Sequence, residues 1–258
     1  MLDLQQIKKL RNMTGAGMMN CQKALEETKG DIEQAIEILR KKGEKIALKK
    51  ADRKASEGVI ALSEKENKIA LIILNCETDF VAKNKDFIAT AQELADKLLE
   101  LGAEKFSAWA EDKIKDALIV KIGENIQLNK FEIISGDILG YYLHANNKVA
   151  SVVSLNKGNQ ELAREIAMHV TAMNPIYLKP EDIPEDILAK EKEIYIEQLE
   201  AEGKPEEIIE KIIQGKLNKF YQENCLLKQE YIKDDKKNIK KLLDEQGAII
   251  KKFERFSL

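Results

Sequence analysis

The sequence predicts an α+β fold in three parts: a small N-terminal helical bundle, a core of two related β-hairpin–helix units, and an inserted antiparallel helical hairpin. Three observations predict it. Apolar residues recur at helical spacing over the first forty or so positions. Farther on, two β-rich pairs of runs are each followed by an amphipathic helical pattern. A late stretch dense in Glu and Lys then carries a sparse isoleucine stripe, interrupted once by Gly203-Lys204-Pro205.

Leu4, Ile7 and Leu10 open the first helix, and Thr14-Gly15-Ala16-Gly17 breaks it with two flexible glycines. Asn20 is the expected N-cap of a second helix with Ala24 and Leu25 inward. Gly30-Asp31 separates it from a third, whose inner face is Ile32, Ala35, Ile36 and Leu39. Lys41-Lys42-Gly43 is the expected end of that helix, since basic residues and glycine suit a C-terminus. Residues 45–56, rich in Lys and Ala, read as a helical linker.

Val59 to Leu62 and Ile69 to Leu74 are β-rich runs joined by Glu64-Lys65-Glu66-Asn67, a hairpin. Phe87, Ala91, Leu94, Ala95 and Leu98 mark the helix after it. A similar unit begins at Gly136-Asp137-Ile138, turns at Asn146-Asn147, returns through Val149 to Val153 and continues into a helix from Gln160 to Met173. Ile187, Ile194, Leu199, Ile208, Ile209, Ile212, Ile213 and Leu217 then define the helical hairpin. A short helix near Asn238 to Gln246 leads to a last strand, Ala248 to Phe256. The domains expected from this reading are 1–53, 54–135, 136–183 with 225–258, and 184–224.

Composition narrows the function. The chain has 258 residues, 44% apolar and 34% charged, with a net charge of only -3. No global field favours nucleic acid or an anionic membrane as the main partner, and aromatic residues are scarce. The three cysteines, Cys21, Cys76 and Cys225, are far apart and odd in number, which reads as reduced thiols rather than a disulfide framework or zinc site. The N-terminus lacks a basic head followed by an apolar stretch, and the longest apolar run, Ile69 to Leu74, is far short of a membrane span. A cytoplasmic location is expected.

His144 and His169 have no cysteine or carboxylate at ligand spacing. There is no G-x-x-x-x-G-K-[ST], G-x-G-x-x-G or G-x-S-x-G. No catalytic residue, resident metal or cofactor is indicated.

Two stretches carry a resemblance. They are Leu10-Arg11-Asn12-Met13-Thr14-Gly15-Ala16-Gly17-Met18-Met19-Asn20-Cys21-Gln22-Lys23-Ala24-Leu25 and Leu74-Asn75-Cys76-Glu77-Thr78-Asp79-Phe80-Val81-Ala82-Lys83-Asn84. Both resemble the signature regions of the elongation factor Ts family, and shorter matches follow in order at Lys121 to Asn125, Gly136 to His144, Ile166 to Val170 and Lys179 to Asp182. The resemblance implies a non-catalytic guanine-nucleotide exchange factor for elongation factor Tu, bound both to the GDP-loaded and to the nucleotide-free partner. It implies that the N-terminal bundle is similar to ubiquitin-associated domains. It also implies that Thr78, Asp79, Phe80 and Val81 enter the partner beside its Mg²⁺–GDP site. Arg11, Met18, Met19, Lys23 and His144 are further contacts on the same grounds. The family usually has lysine where this chain has Gln22, and longer members add a C-terminal helix after the last strand.

From the residues alone, Thr78-Asp79-Phe80-Val81 has two readings. Thr78 can cap the next helix while Phe80 fills the core, or Phe80 can be an exposed wedge. The cap-and-core reading is the preferred one on sequence, since most aromatics after a strand are packing residues. The corresponding connection in the second unit, Asn156-Lys157-Gly158-Asn159, is an ordinary polar turn with no aromatic, which shifts the balance toward the wedge. It is the resemblance that decides for the wedge. Met18 and Met19, as methionines near a helix start, read as core more readily than as contacts, and Arg11 is open between a solvated charge and a support for the turn. His144, at a strand end, is expected to be exposed, and His169 to be packed or hydrogen-bonded. The helical hairpin can be a homodimer arm, a partner arm or simply solvated.

Overall fold

The structure, a computed structural model, describes residues 4–50 and 52–258, with the side chains of 44–49, 115–117, 120 and 206–207 left aside. The chain is α+β and folds as two compact units. One comprises residues up to 135 together with 145–148 and 257–258; the other comprises 136–144 and 149–256.

In the first unit, α1 (Leu4–Thr14), α2 (Met18–Glu27) and α3 (Ile32–Lys50) bury Ile7, Leu10, Cys21, Leu25, Ala35 and Leu39 against one another. The 14–17 segment does break the chain, with Gly15 in the left-handed region at φ 68°. Two expectations fail here. The second helix begins at Met18 with Gly17 as its N-cap and no side-chain cap. Asn20 instead lies inside the helix, where its Oδ1 accepts a 2.8 Å hydrogen bond from Lys42 Nζ. The third helix does not stop at Lys41-Lys42-Gly43 but runs on to Lys50. Gly43 is buried, and α3 packs against the π-helical turn Ile114–Ile119. Tertiary packing of this kind outweighs the roughly 1 kcal/mol cost of a mid-helix glycine. Asp31 caps α3 as expected, accepting from Gln34 N at 3.1 Å. The helical part of the expected 45–56 linker thus belongs to α3; its residue 51 lies outside the described residues.

β1 (Glu57–Lys65) and β2 (Lys68–Cys76) form the antiparallel hairpin, joined by a two-residue turn with Glu66 at φ 55°. A short helix α4 (Asp79–Ala82) and the long α5 (Lys85–Lys113) follow. α5 breaks at Gly102, whose φ of 74° and ψ of 162° are non-helical. Phe87, Ala91, Leu94, Ala95 and Leu98 are fully buried on the sheet. After the π-helical turn and α6 (Val120–Ile122), a third strand β3 (Gln127–Ser135) pairs antiparallel with β2. β2 is therefore central, and all its residues but the first are buried.

The second unit contains β4 (Ile138–Leu143), β5 (Val149–Leu155) and α7 (Gln160–Met173). Gly140 in β4 allows α7 to lie directly on the sheet, because a Cβ there would sit 2.2 Å from Arg164 N and 2.3 Å from Ala163 C. α8 (Glu185–Ala201) and α9 (Glu206–Asn224) pack together, with Leu199 and Leu217 buried and Lys216 reaching Gln198 Oε1 at 3.0 Å and the Tyr195 ring. A two-stranded ribbon, β6 (Glu230–Tyr231) with β7 (Asp234–Asn238), precedes α10 (Ile239–Glu245), which Asn238 caps by accepting from Lys241 N. β8 (Ile250–Ser257) completes a sheet of order β4-β5-β8.

His169 is fully buried in this second unit, as a hydrogen-bonded histidine. Ile232 N can only donate, so Nδ1, 3.4 Å away, accepts, and Nε2 carries the proton to Gln229 Oε1 at 3.0 Å. Burial holds the imidazole below its ordinary pKa of 6.5, with the Gln229 hydrogen bond opposing. The unfolded chain thus takes up a proton at a higher pH than the folded one. Stability from this site is fully present above about pH 6.5 and is lost as pH falls from there toward the folded value. Denaturant unfolding at pH 7.5 and 5.5 should show a drop for the parent chain that His169→Gln, which cannot titrate, shows less of.

Candidate functional site

The end of β2 turns into α4 across Glu77 and Thr78. Thr78 sits in extended backbone, φ -123° and ψ 152°, and its Oγ1 accepts from Val81 N at 3.4 Å as the N-cap of α4. The helix is only one turn long, and what it buries is Ala82, with Val81 half-buried against the core. Asn84 immediately caps the next helix, its Oδ1 accepting from Asp86 N and Phe87 N. Between these two caps the Phe80 side chain is 82% exposed. Both halves of the sequence reading meet here: Thr78 caps the helix, and Phe80 is outside the core. Asp79 is half-buried and pairs with Lys83 at 2.7 Å, a hydrogen bond that holds its carboxyl below the usual range.

The loop is tied from the opposite side by a residue to which the sequence reading gave no role. Glu124 Oε2 accepts from Glu77 N at 3.0 Å and from Thr78 N at 3.1 Å, and its Oε1 accepts from Thr78 Oγ1 at 2.6 Å. Glu77 returns the contact, its Oε1 accepting from Asn125 N at 2.7 Å. That bond holds the Glu77 carboxyl below its ordinary range, burial opposing and Arg53, 3.4 Å from Oε2, assisting. The Asn125 side chain is buried and donates to Arg53 O at 2.7 Å. Gly123 supplies the turn before Glu124, with φ 77°, and its carbonyl accepts from Lys50 Nζ. Beneath the loop, burial and the Glu124 charge push the Cys76 thiol up to about 12, so it is an inert donor to Thr78 O at 3.2 Å.

A cavity of about 490 Å³ lies within the first unit, between the α1–α2 turn and the start of α5, lined among others by Met13, Gly15, Val81, Asn84 and Lys121. The exposed loop and the bundle tip are thereby neighbours. Arg11, Met18, Met19 and Lys23 are all exposed on that bundle, Met19 the most at 65%. Gln22 is half-buried and donates to Glu26. His144 belongs to the second unit, directly after β4, and is exposed. Among the described residues, no group of three or more His, Cys, Asp or Glu is placed to hold a metal ion, and no helix is long and apolar enough to cross a membrane.

A family profile described as "Elongation factor TS" matches residues 77–258, a span that starts at this loop. A protein of Aquifex aeolicus named elongation factor Ts is 43% identical over 100% of this chain and 98% of its own length. The chain belongs to the elongation factor Ts family. Others of the same name, from Hydrogenobaculum and Teredinibacter turnerae, are 42% and 43% identical over 98% of the chain and 97% and 89% of their own lengths. Membership makes the chain a translation elongation factor associated with nucleotide exchange on elongation factor Tu, not an enzyme of covalent chemistry. Glu77, Glu124 and Asn125 are the residues that sequence reasoning missed. The available signal was a carboxylate after a glycine within a stretch already matching the family, but nothing in one dimension ties it to Thr78.

Because Phe80 lies outside the core, Phe80→Ala should leave thermal unfolding of the free chain nearly unchanged. Phe87→Ala, which empties a fully buried site, should cost about 3–5 kcal/mol. A comparable loss in both variants would show that Phe80 is packed.

Proposed function

We propose that the chain accelerates GDP release from elongation factor Tu by inserting Phe80, flanked by Thr78, Asp79 and Val81, beside the partner's Mg²⁺–GDP site. The observation that carries this reading is an aromatic ring 82% exposed on a loop fixed by five hydrogen bonds to side chains. A solvated aromatic gains nothing for its own fold, and a rigid ring with few rotamers to freeze is well suited to wedge a neighbour. Mg²⁺ demands near-ideal octahedral geometry, so a modest displacement of its surroundings weakens it. The diphosphate of GDP is held by several backbone N–H groups at a helix N-terminus, which a shift of one loop weakens together.

The exposed bundle residues Arg11, Met18, Met19 and Lys23 supply the docking surface beside the wedge, and His144 a further contact. In this reading the three N-terminal helices are a domain similar to ubiquitin-associated domains, the two hairpin–helix units are a duplicated core, and α8–α9 is an inserted arm. Release is allosteric: the chain prefers the nucleotide-free partner, so it must lower GDP affinity by the same factor by which GDP lowers its own. A 10⁴-fold mutual effect corresponds to about 5.5 kcal/mol of differential binding.

Stopped-flow release of a fluorescent GDP analogue from elongation factor Tu tests the reading. Phe80→Ala should slow release about thirtyfold, the size of a hot spot worth about 2 kcal/mol. Asp79→Ala should slow it less, and raising Mg²⁺ should slow the parent. Release by Phe80→Ala at the parental rate would overturn the assignment.

A further inference from the structure

We propose that Glu124 is a positioning residue for exchange, holding the Phe80 loop in its working geometry through Thr78. The inference rests on the reading of Phe80 as the wedge and adds the device that aims it. An exposed ring has no packing of its own to fix its direction, so the backbone beneath it must do so. Three protons of that backbone turn, Glu77 N–H, Thr78 N–H and Thr78 Oγ1–H, all converge on the two oxygens of one carboxylate. The Thr78 hydroxyl then has its proton committed to Glu124, which leaves a lone pair for Val81 N. The cap of α4, and with it the helical turn bearing Phe80, is thus oriented from Glu124.

The carboxylate itself is held in place from several sides. Asn125 N donates to Glu77 on the same loop, so the two segments exchange hydrogen bonds in both directions. Asn125 is further tied to Arg53 O, and Gly123 O to Lys50 Nζ. Hydrogen bonds to an ionised acceptor are roughly twice as strong as neutral ones, and three on one carboxylate form a stiff clasp. A glutamine cannot replace it. Its amide has one acceptor oxygen and one NH₂, so it must either leave a backbone N–H unpaired or point N–H at Thr78 Oγ1. In the latter case the hydroxyl must accept from the amide as well as from Val81 N, and its own proton loses the Glu124 oxygen that now fixes its direction.

The test is GDP-analogue release from elongation factor Tu at saturating full-length chain, with thermal unfolding alongside. Glu124→Gln and Thr78→Val should each lower the maximal rate about tenfold, or about 1.4 kcal/mol. Melting should be nearly parental, and the half-saturating concentration should change by less than about twofold. Thr78→Ser, which keeps the hydroxyl that donates to Glu124 and accepts from Val81 N, should slow release less than Thr78→Val. In the Phe80→Ala background, Glu124→Gln should produce no further slowing, because both act through the same ring. Equal slowing by Glu124→Gln with and without Phe80 would place its effect elsewhere and overturn the proposal, as would a parental rate for both Glu124→Gln and Thr78→Val. If Phe80→Ala releases at the parental rate while Glu124→Gln is slow, the wedge reading itself has failed and this inference falls with it.

Discussion

An aromatic ring held out in water cannot be oriented by packing, so the direction of Phe80 depends on the backbone beneath it, where one carboxylate satisfies three donors. Glu124 does this from a segment far away in sequence, reached through the left-handed turn at Gly123. These bonds are only part-buried, and the groups that make them return to water when the loop opens, so they govern the local order of the loop far more than the global stability of the unit. The clasp therefore decides between an ordered one-turn helix and an unstructured loop at a place where burial of Ala82 alone offers little.

The clasp works because both of its jaws leave a common core. Thr78 follows the central strand β2, and Glu124 precedes β3, which pairs with β2 in antiparallel register from Asn75–Gln127 onward. Phe87, Phe106, Leu94 and Ile126 fill the space between that sheet and α5. The hydrophobic core sets where the two segments meet, and the hydrogen bonds set how the loop leaves it. This division explains why a solvent-exposed residue can be replaced at small cost in stability while its presentation depends on residues that touch no partner at all.

Much of the fold was legible because it depends on local periodicity. The two hairpins, the helices after them and the charged helical pair all follow from runs of two or three and a half residues, and Asp31 caps where expected. What was not legible depends on contacts between distant segments. β3 has the weak alternation of a strand whose outer face is charged, with Lys130 and Glu132 paired 3.3 Å apart, so its sequence did not stand out. α3 outran its apparent stop because packing on the π-helical turn outweighs a local glycine signal. At the loop, the sequence offered both a capping threonine and either a core or a wedge phenylalanine. Only the placement of Ala82 and Val81 inward shows that the core needs no further aromatic there. Glu124 was invisible as a partner of Thr78 for the same reason that most long-range hydrogen bonds are: no spacing rule connects them.

The account's central claim is that the loop is ordered before any partner arrives. Backbone ¹⁵N relaxation of the free chain measures this directly. The account predicts order parameters near 0.85 from Glu77 to Ala82, as in a rigid element, despite the exposure of Phe80. Values below about 0.6 across the same residues would mean that the loop takes its shape only on binding, and would contradict the role given to Glu124.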